Sequence, residues 1–296
     1  MEPFVWKEAE GTEEPSVYVL ESWTKLDPEL SAGFTSRHGG VSEAPYGTLN
    51  CGLHVQDAPE HVVTNRRRLA SAAGVPFETA TYAEQVHGTH VAVVGDAELG
   101  AGRSDRETAL PDTDALITNR VGVSLNLMYA DCVPLYFYDP VRKVIGLAHA
   151  GWKGTVGNIA QATVRRMTDI YGCKPEHVRA AIGPSIGSCC YEVDEAVAAK
   201  VRPLLDTLET TEEDRARILS PGREIGKYQL GLQSLNRLLM TKAGILSVHI
   251  EVTMLCTGCS TDRFFSHRKE GGRTGRMVAW IARRPEGMNK QGERAQ

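Results

Sequence analysis

Three polar residues with metal-binding or nucleophilic side chains lie at the ends of apolar runs. His87 ends YAEQVHG, Cys132 lies in MYADCVPLY, and His149 lies in GLAHAGWKG. Two imidazoles and one thiolate form a suitable ligand set for zinc, and three protein ligands leave a fourth position for water or substrate, as in catalytic sites. Because the three residues are far apart in sequence, two interpretations stay open: one shared metal site, or separate hydrogen-bonded and core residues.

The same residues also permit covalent catalysis. Cys132 could act as a nucleophile with His87 or His149 as its base, as in a hydrolase or transferase. The neighbouring Asp131 could orient an imidazole or transfer a proton, or it could simply cap the turn before Val133. We keep Asp131, Cys132, His87 and His149 as the candidate catalytic residues.

The segment IGLAHAGWKGTVGNI, residues 145–159, has an unusual composition for a strand-to-helix turn. Its glycines allow the backbone to approach a ligand closely. We expect a helix to begin near Thr155 with its N-terminal N–H groups directed at the site, which suits an anion, and Lys153 adds a positive charge. The alternative is a turn that is merely anchored by Trp152.

The pattern of apolar residues predicts strands in the majority at the centre of the chain. Strands are expected over 17–23, 32–36, 79–86, 89–95, 115–118, 123–130, 133–139, 144–150, 247–254 and 276–282. Helices are expected over 59–73, 155–171, the acidic region 193–217 and 226–243. Because strands and helices do not strictly alternate, the pattern favours an α+β fold in one domain, followed by a polar, frayed tail over 286–296.

Composition excludes several functional classes. The chain has 296 residues and a net charge of −4, so a strongly basic surface for nucleic acid is not expected. The first twenty residues do not resemble a signal peptide, and no run of apolar residues is long enough to span a membrane. The seven cysteines are an odd number in a chain without a secretion signal. We therefore expect free thiols, a cytoplasmic location, and neither nucleic acid nor membrane as a partner.

Six motifs together resemble one known family. They are EQVHG, DTDALIT, ADCVPLYFYD, HAGWKG, IGPSIGSCCYEV and FFSHRKEGGRTGRM. The resemblance as a whole runs from about Gly33 to Ala282, which is nearly the whole chain. The sequence is similar to the YfiH family, which is also catalogued as multicopper polyphenol oxidoreductases or laccases and includes laccase domain-containing 1.

The resemblance implies a fold, an activity and a metal. The implied fold is an α+β sandwich of mixed sheets flanked by helices, related to the catalytic domain of cytotoxic necrotizing factor, with a core over about 33–282. The implied activity is phosphorolysis of adenosine, inosine, guanosine and 5′-methylthioadenosine, together with deamination of adenosine. The implied zinc ligands are His87, Cys132 and His149, the same three residues that the sequence singles out.

Further residues are candidates to bind the nucleoside or phosphate. They are Asn50, Arg66, Lys153, Ser185, Cys190, His267 and Arg268. Arg66 could contact ribose or phosphate, whereas its two arginine neighbours are expected on a solvated helix face. Lys153 stands where many family members have arginine, and this loses the bidentate fork that arginine offers to phosphate.

The cysteine-containing segments admit two interpretations. The loop GPSIGSCCYEV, with Ser185 and Cys190, has backbone amides that could hold an anion, but its adjacent cysteines could equally be packing residues. The pair Cys256 and Cys259 is a lone C-x-x-C without a second pair at zinc-ribbon spacing, so we expect a structural or incidental role.

Three alternative functions are compatible with parts of the sequence: a copper oxidase, a cysteine hydrolase and a zinc-binding module. A copper-dependent phenol oxidase would need a trinuclear centre rich in histidine, normally in H-x-H pairs, and none occurs among the nine histidines. The second alternative is a cysteine hydrolase that acts on cell-wall peptides. The third is a binding module with a structural zinc. For deamination, the H-x-E…P-C-x-x-C signature of nucleobase zinc deaminases is absent, so that activity would need a different set of residues.

Overall fold

A computed structural model of the chain describes residues 1–9, 11 and 14–285. The strands are β1 Phe4–Lys7, β2 Val17–Leu20, β3 Leu30–Thr35, β4 Ala80–Tyr82, β5 Val91–Val93, β6 Ala115–Thr118, β7 Ser124–Tyr129, β8 Val133–Asp139, β9 Val144–Ala150, β10 Arg179–Ile182, β11 Glu192–Asp194, β12 Leu219–Pro221, β13 Lys227–Leu230, β14 Ile250–Val252 and β15 Met277–Arg283. The helices are α1 Glu21–Leu26, α2 Pro59–Ala73, α3 Trp152–Val156, α4 Ile159–Tyr171, α5 Glu195–Thr207, α6 Glu212–Ile218 and α7 Leu232–Lys242.

Within the described residues, the strands form two six-stranded mixed sheets and one three-stranded sheet. The first sheet has the order β1-β2-β3-β15-β7-β4, and the second has the order β14-β10-β8-β9-β6-β5. The small sheet has the order β11-β13-β12. The chain crosses from the first large sheet to the second between β7 and β8, which are separated only by residues 130–132.

The two large sheets pack face to face and carry helices on their outer faces. Leu127 of β7 and Leu147 of β9 belong to the same buried cluster between the sheets. Helices α4 and α7 cover the outer face of the second sheet, and α2 covers the outer face of the first. Because successive side chains of a strand point to opposite faces, β8 is apolar on both sides, which explains its continuous apolar sequence. The predicted α+β sandwich flanked by helices is confirmed.

Several predicted elements coincide with the observed ones, and others differ. Helix α2 has the predicted bounds and ends at Gly74, whose φ of 67° is the left-handed conformation that glycine adopts readily. The helix predicted over 155–171 is divided, because Asn158 has a φ of 62° and caps α4 by accepting a hydrogen bond from the Gln161 N–H. The predicted helix 226–243 begins with strand β13, which pairs with both β11 and β12.

The strand predicted over 17–23 is shorter than expected. It ends at Leu20, and α1 follows at once. In that helix the buried Trp23 indole donates a hydrogen bond of 2.9 Å to Glu251, a residue distant in sequence. The segments predicted as strands over 79–86, 89–95 and 247–254 likewise contain only the three-residue strands β4, β5 and β14.

The frayed C-terminal tail and the single-domain organisation stay predictions from the sequence. The polar tail over 286–296 lies outside the described residues. The assignment of residues 1–296 to one domain stays a prediction. Among the described residues, no helix has both the length and the apolar character that a membrane span requires.

Candidate metal centre

The structure brings together the three residues that the sequence singles out. The ligand atoms of His87, Cys132 and His149 all lie within 4.8 Å of one another. The Sγ atom of Cys132 lies 3.8 Å from Nε2 of His87, and the centroids of the two imidazole rings are 4.8 Å apart. His149 is buried and His87 is exposed, so the cluster is open to solvent on the His87 side.

The register of the β8–β9 hairpin places two of these residues side by side. Val133 pairs with Ala150, and Pro134 pairs with His149. Cys132 comes one residue before β8, so it lies opposite the end of β9 where His149 is located. Cys132 is therefore the diagonal neighbour of His149 across the strand pair, with Pro134 directly opposite the histidine, and side chains at diagonal positions remain within reach of each other.

Gly151 is required for the close approach of the ligands. A Cβ atom at this position would lie 2.8 Å from the ring carbon Cδ2 of His87 and 3.1 Å from Sγ of Cys132. Both distances are shorter than ordinary van der Waals contact between such atoms. The glycine that follows His149 and Ala150 in the sequence therefore provides the space in which the ligand side chains meet.

Asp114 holds both histidines in place. Its buried carboxylate accepts hydrogen bonds from the backbone N–H groups of Val86, His87 and Gly88, at 3.1, 3.0 and 2.6 Å. The same carboxylate lies 2.8 Å from Nδ1 of His149. A carboxylate on one imidazole nitrogen directs the other nitrogen to a metal and makes it a better ligand. This role was not predicted from the sequence, although Asp114 lies in the motif DTDALIT.

The Cys132 thiol and the buried His149 imidazole shift each other's pKa. Burial opposes ionisation of Cys132, but the nearby His149 and His87 outweigh it and lower the thiol pKa to about 6. Burial also disfavours the charged form of His149, yet Cys132 and Asp114 together raise its pKa to about 9. Without a metal, the pair is therefore a thiolate beside an imidazolium at neutral pH, and a bound cation would replace the proton.

Asp131 holds a different part of the site from the one expected. One carboxylate oxygen accepts hydrogen bonds from Thr257 Oγ1 at 2.6 Å and Ser266 Oγ at 2.8 Å, and the other accepts from the backbone N–H of Arg268 at 2.7 Å. Asp114, and not Asp131, contacts an imidazole in this structure, whereas a role of Asp131 in proton transfer stays a prediction. Asp131 instead ties the Cys132 loop to residues 257–268.

Two cavities meet at the cluster. A cavity of about 410 Å³ is lined by Arg66, Tyr82, His54 and Arg276, and a cavity of about 310 Å³ is lined by Trp152, Lys153, Tyr191 and Arg268. His87, Cys132 and His267 line both. Both volumes lie at the lower end of the range of small-molecule sites, about 300–1,000 Å³.

The other predicted binding residues divide into two groups. Arg66, Lys153, His267 and Arg268 line one or both cavities. The remaining three, Asn50, Ser185 and Cys190, line neither cavity in the described part of the chain.

Each of the three residues outside the cavities has another contact. Asn50 accepts hydrogen bonds from the backbone N–H groups of Gly52 and Arg276 and donates to Asp57, so it organises a loop. The buried Ser185 hydroxyl accepts a hydrogen bond from Gln233. The Cys190 Sγ atom lies 3.5 Å from that of Cys259.

The helix expected near Thr155 differs from the prediction. That residue belongs to α3, which spans only five residues, and the longer α4 begins at Ile159. A single turn carries only a small part of the dipole of a long helix, so α3 is not by itself an anion site. Lys153 nevertheless lines the smaller cavity, with its ammonium 5.8 Å from the ring centroid of Trp152.

Residues 31–284 match the sequence pattern of the family described as multi-copper polyphenol oxidoreductase laccase. The chain belongs to this family. A relative from Bacillus subtilis, named purine nucleoside phosphorylase YlmD, is 40% identical over 270 residues, 90% of this chain and 94% of the relative. The enzyme of the same name from Geobacillus stearothermophilus is 45% identical, over 86% of this chain and 90% of the relative. The crystal structure of YlmD from Geobacillus stearothermophilus superposes with a TM-score of 0.86 at 40% identity, covering 96% of this chain and all (100%) of that chain.

The distances between the donor atoms of the cluster fit a bound zinc ion. For a tetrahedral zinc with metal–nitrogen and metal–sulfur bonds of usual length, the ligand atoms are separated by about 3.5 Å. The Cys132–His87 distance of 3.8 Å is close to this value. Residues 1–9, 11 and 14–285 contain one further cluster of three or more potential metal ligands, and it consists of four cysteines. The described residues thus lack the histidine-rich trinuclear centre that multicopper oxidation requires.

Proposed function

We propose that this chain is a zinc-dependent purine nucleoside phosphorylase that accepts adenosine, inosine, guanosine and 5′-methylthioadenosine and also deaminates adenosine. The observation that carries the proposal is the junction of two cavities at one open metal-ligand cluster. The names of the relatives, purine nucleoside phosphorylase, support the phosphorolysis in this proposal. His87, Cys132 and His149 would hold the zinc, which, when bound, acts as a Lewis acid and makes a water molecule more acidic.

The smaller cavity suits the purine. Trp152 and Tyr191 offer aromatic faces, and Ile186 and Leu232 add apolar surface, which together favour a planar heterocycle. Arg268 lies over the Tyr191 ring, 5.0 Å from its centroid, and donates a hydrogen bond to the Glu192 carbonyl, so its position is well defined.

The larger cavity suits phosphate and ribose. Arg276 and Arg66 provide fixed positive charge, and His54 lies with them on the cavity wall. Burial and the neighbouring Arg276 lower the pKa of His54 to about 4, so this imidazole is neutral at physiological pH and can accept or donate a hydrogen bond. Arg66 donates to three backbone carbonyls, whereas Arg276 donates to two, Thr274 and Gly275, and does so through Nη1 alone. We therefore assign Arg276 as the main cation for an anion in this cavity.

In phosphorolysis, a phosphate oxygen forms a bond to C1′ as the bond from C1′ to the purine nitrogen breaks. The electron pair goes to the purine, which requires a proton. His267 lines both cavities and, unlike His87 and Cys132, is not one of the proposed metal ligands. We therefore assign it the delivery of that proton, while Arg276 would orient the phosphate. In deamination of adenosine, a water oxygen would form a bond to C6 and the amino group would leave C6 as ammonia, while His87, Cys132 and His149 would hold the metal that makes this water more acidic.

A chromatographic assay on the zinc-loaded protein tests the proposal. Inosine should give hypoxanthine and ribose 1-phosphate only when phosphate is added, and adenosine without phosphate should give inosine. The Cys132→Ser variant should lose both activities together with its active-site zinc. Hypoxanthine formation without phosphate would indicate a hydrolase instead. Oxidation of phenols by the copper-loaded protein, with no reaction on nucleosides, would favour the oxidase.

Two further expectations belong to the proposal. Small-molecule nucleosides and phosphate are its ligands, with neither nucleic acid nor membrane as a partner. Copper is the less suitable metal, because the described ligand set provides a single His₂Cys group beside the cysteine cluster. The cytoplasmic location stays a prediction from the sequence.

A further inference from the structure

Four cysteines outside the proposed active site lie together at the surface. Cys189 and Cys190 belong to the loop after β10, and Cys256 and Cys259 belong to the loop after β14. Their four Sγ atoms all lie within 4.8 Å of one another. Cys189 and Cys259 are exposed, and the other two are half-buried, so an ion can reach the cluster from solvent.

The distances between the sulfur atoms are those of a metal site. Sγ of Cys189 lies 3.6 Å from that of Cys256 and 3.5 Å from that of Cys259, and Cys190 lies 3.5 Å from Cys259. Four thiolates around a tetrahedral zinc, each at about 2.3 Å, have sulfur atoms about 3.8 Å apart. A disulfide would need about 2.05 Å between two of them. The observed separations match the first arrangement.

The backbone of the two loops is organised around one of the sulfur atoms. The Gly187 N–H donates a hydrogen bond of 3.1 Å to Sγ of Cys256. Such a bond stabilises a thiolate, because the donor faces the developing negative charge. Cys259 N–H donates to the Cys256 carbonyl at 3.2 Å, which closes the C-x-x-C turn and directs both sulfur atoms to the same side.

Two glycines provide the space for the sulfur atoms. A Cβ atom on Gly258 would lie 2.8 Å from the Cβ atom and 3.1 Å from the Sγ atom of Cys190. A Cβ atom on Gly187 would lie 3.2 Å from Sγ of Cys189. Larger residues at either position would push the two pairs of cysteines apart.

We propose that Cys189, Cys190, Cys256 and Cys259 form a second, structural zinc site with four thiolate ligands and no open coordination position. Zinc binding releases the thiol protons, and the closed tetrahedron leaves no position for a substrate. The site was not predicted from the sequence, because the partner of the C-x-x-C pair is an adjacent pair of cysteines more than sixty residues upstream.

The site connects two walls of the smaller cavity. Ile186 and Tyr191 lie on the first loop, and Arg268 follows the second. Apart from the cysteines, the loops are joined by the hydrogen bond of 3.0 Å from Thr257 N–H to the Ser185 carbonyl. A zinc ion held by both loops would therefore fix the positions of Ile186, Tyr191 and Arg268 relative to one another on the wall of the proposed purine cavity.

Metal counting on the full-length protein tests this site. The reduced protein is loaded with zinc, freed of excess metal, and analysed by elemental mass spectrometry. We expect two zinc ions per chain in the wild type, one in Cys132→Ala, and one in the double variant Cys256→Ser/Cys259→Ser. Cys173→Ala, which removes a buried cysteine outside the cluster, should retain two.

A spectroscopic measurement keeps the test decisive if the double variant does not fold. X-ray absorption of zinc in Cys132→Ala should show four sulfur ligands at about 2.3 Å. A single zinc in the wild type that Cys132→Ala removes would overturn the proposal. So would nitrogen or oxygen ligands in that variant, or a disulfide among the four cysteines that persists when the purified protein is incubated with zinc and reductant. Neither measurement uses catalysis, so a failure here is distinct from a failure of the proposed function.

Discussion

Asp114 and His149 form a buried pair, with Oδ1 of the carboxylate 2.8 Å from Nδ1 of the imidazole. The backbone N–H of His149 also donates a hydrogen bond of 2.7 Å to the Asp114 carbonyl. One residue therefore determines both the position and the tautomer of a metal ligand. Since the same carboxylate accepts from the backbone at His87, it couples the two histidines.

Replacing Asp114 by Asn tests this coupling. The amide keeps the shape of the side chain but can present an N–H group to Nδ1, which favours the wrong tautomer of His149. We expect zinc affinity at the active site to fall about 10- to 100-fold, with a parallel loss of phosphorolysis. Competition with a chromophoric chelator measures the affinity. Asp112→Asn, at an exposed position two residues earlier, is the control and should bind zinc as the wild type does.

The lowered pKa of Cys132 predicts that this thiol is alkylated in the metal-free protein at a lower pH than an ordinary cysteine. Because the thiol pKa is lowered to about 6, its thiolate is present above that pH and its reactivity is lost as the pH falls through 6. Burial raises the pKa of Cys51 and of Cys173 to about 12, so neither should react near neutral pH. Iodoacetamide labelling followed by peptide mass spectrometry at several pH values measures this. Labelling with a midpoint above pH 8, or labelling that bound zinc does not suppress, would contradict the assignment of Cys132 as a metal ligand.

Gly151→Ala should weaken the metal site without removing a ligand. The added Cβ would lie 2.8 Å from the His87 ring, so the imidazole must move. We expect a loss of zinc affinity of about tenfold or more, because ligand geometry is set within a few tenths of an ångström. Gly88→Ala is the matched control, since its Cβ would be at an ordinary 3.4 Å from Asp114. Equal zinc affinities in the two variants would show that the crowding at Gly151 has no consequence.

Steady-state kinetics should separate the two cavities. Arg276→Gln removes a cation from the larger cavity, so we expect the KM for phosphate to rise about tenfold or more, with little change in the KM for inosine. Lys153→Gln changes the wall of the smaller cavity and should act mainly on the KM for inosine. The reverse pattern would exchange the assignments of the two cavities.

Arg66 combines a structural role with its place in the larger cavity. The side chain is 1% exposed, lies over the Tyr82 ring at 3.8 Å, and donates to the carbonyls of Cys51 and Gly102. Arg66→Ala would leave these buried acceptors without partners, so we expect a loss of about 3 kcal/mol in the free energy of unfolding. Urea denaturation followed by circular dichroism measures it. The exposed neighbour Arg67→Ala should lose less than about 1 kcal/mol, and equal losses would argue against the buried network.

Local patterns of residues were enough to predict several helices and strands and the chemistry of the metal ligands. The continuous apolar runs of β8 and β9 and the bounds of α2 could be read directly, because burial on both faces and a glycine stop are local signals. His87, Cys132 and His149 could be chosen as candidates, because imidazole and thiolate are metal ligands wherever they occur.

Contacts between side chains distant in sequence could not be predicted in this way, because they depend on how the sheets and loops pack. The pairing of β8 with β9, the contacts of Asp114, and the contacts that occupy Asp131 depend on residues distant in sequence. The division at Asn158 and the strand β13 were likewise decided by capping and by pairing with other strands, which override local periodicity. The meeting of Cys189 and Cys190 with Cys256 and Cys259 has the same origin. A thiol's chemistry belongs to its own residue, but its neighbours in space are set by the packing of the sheets and loops.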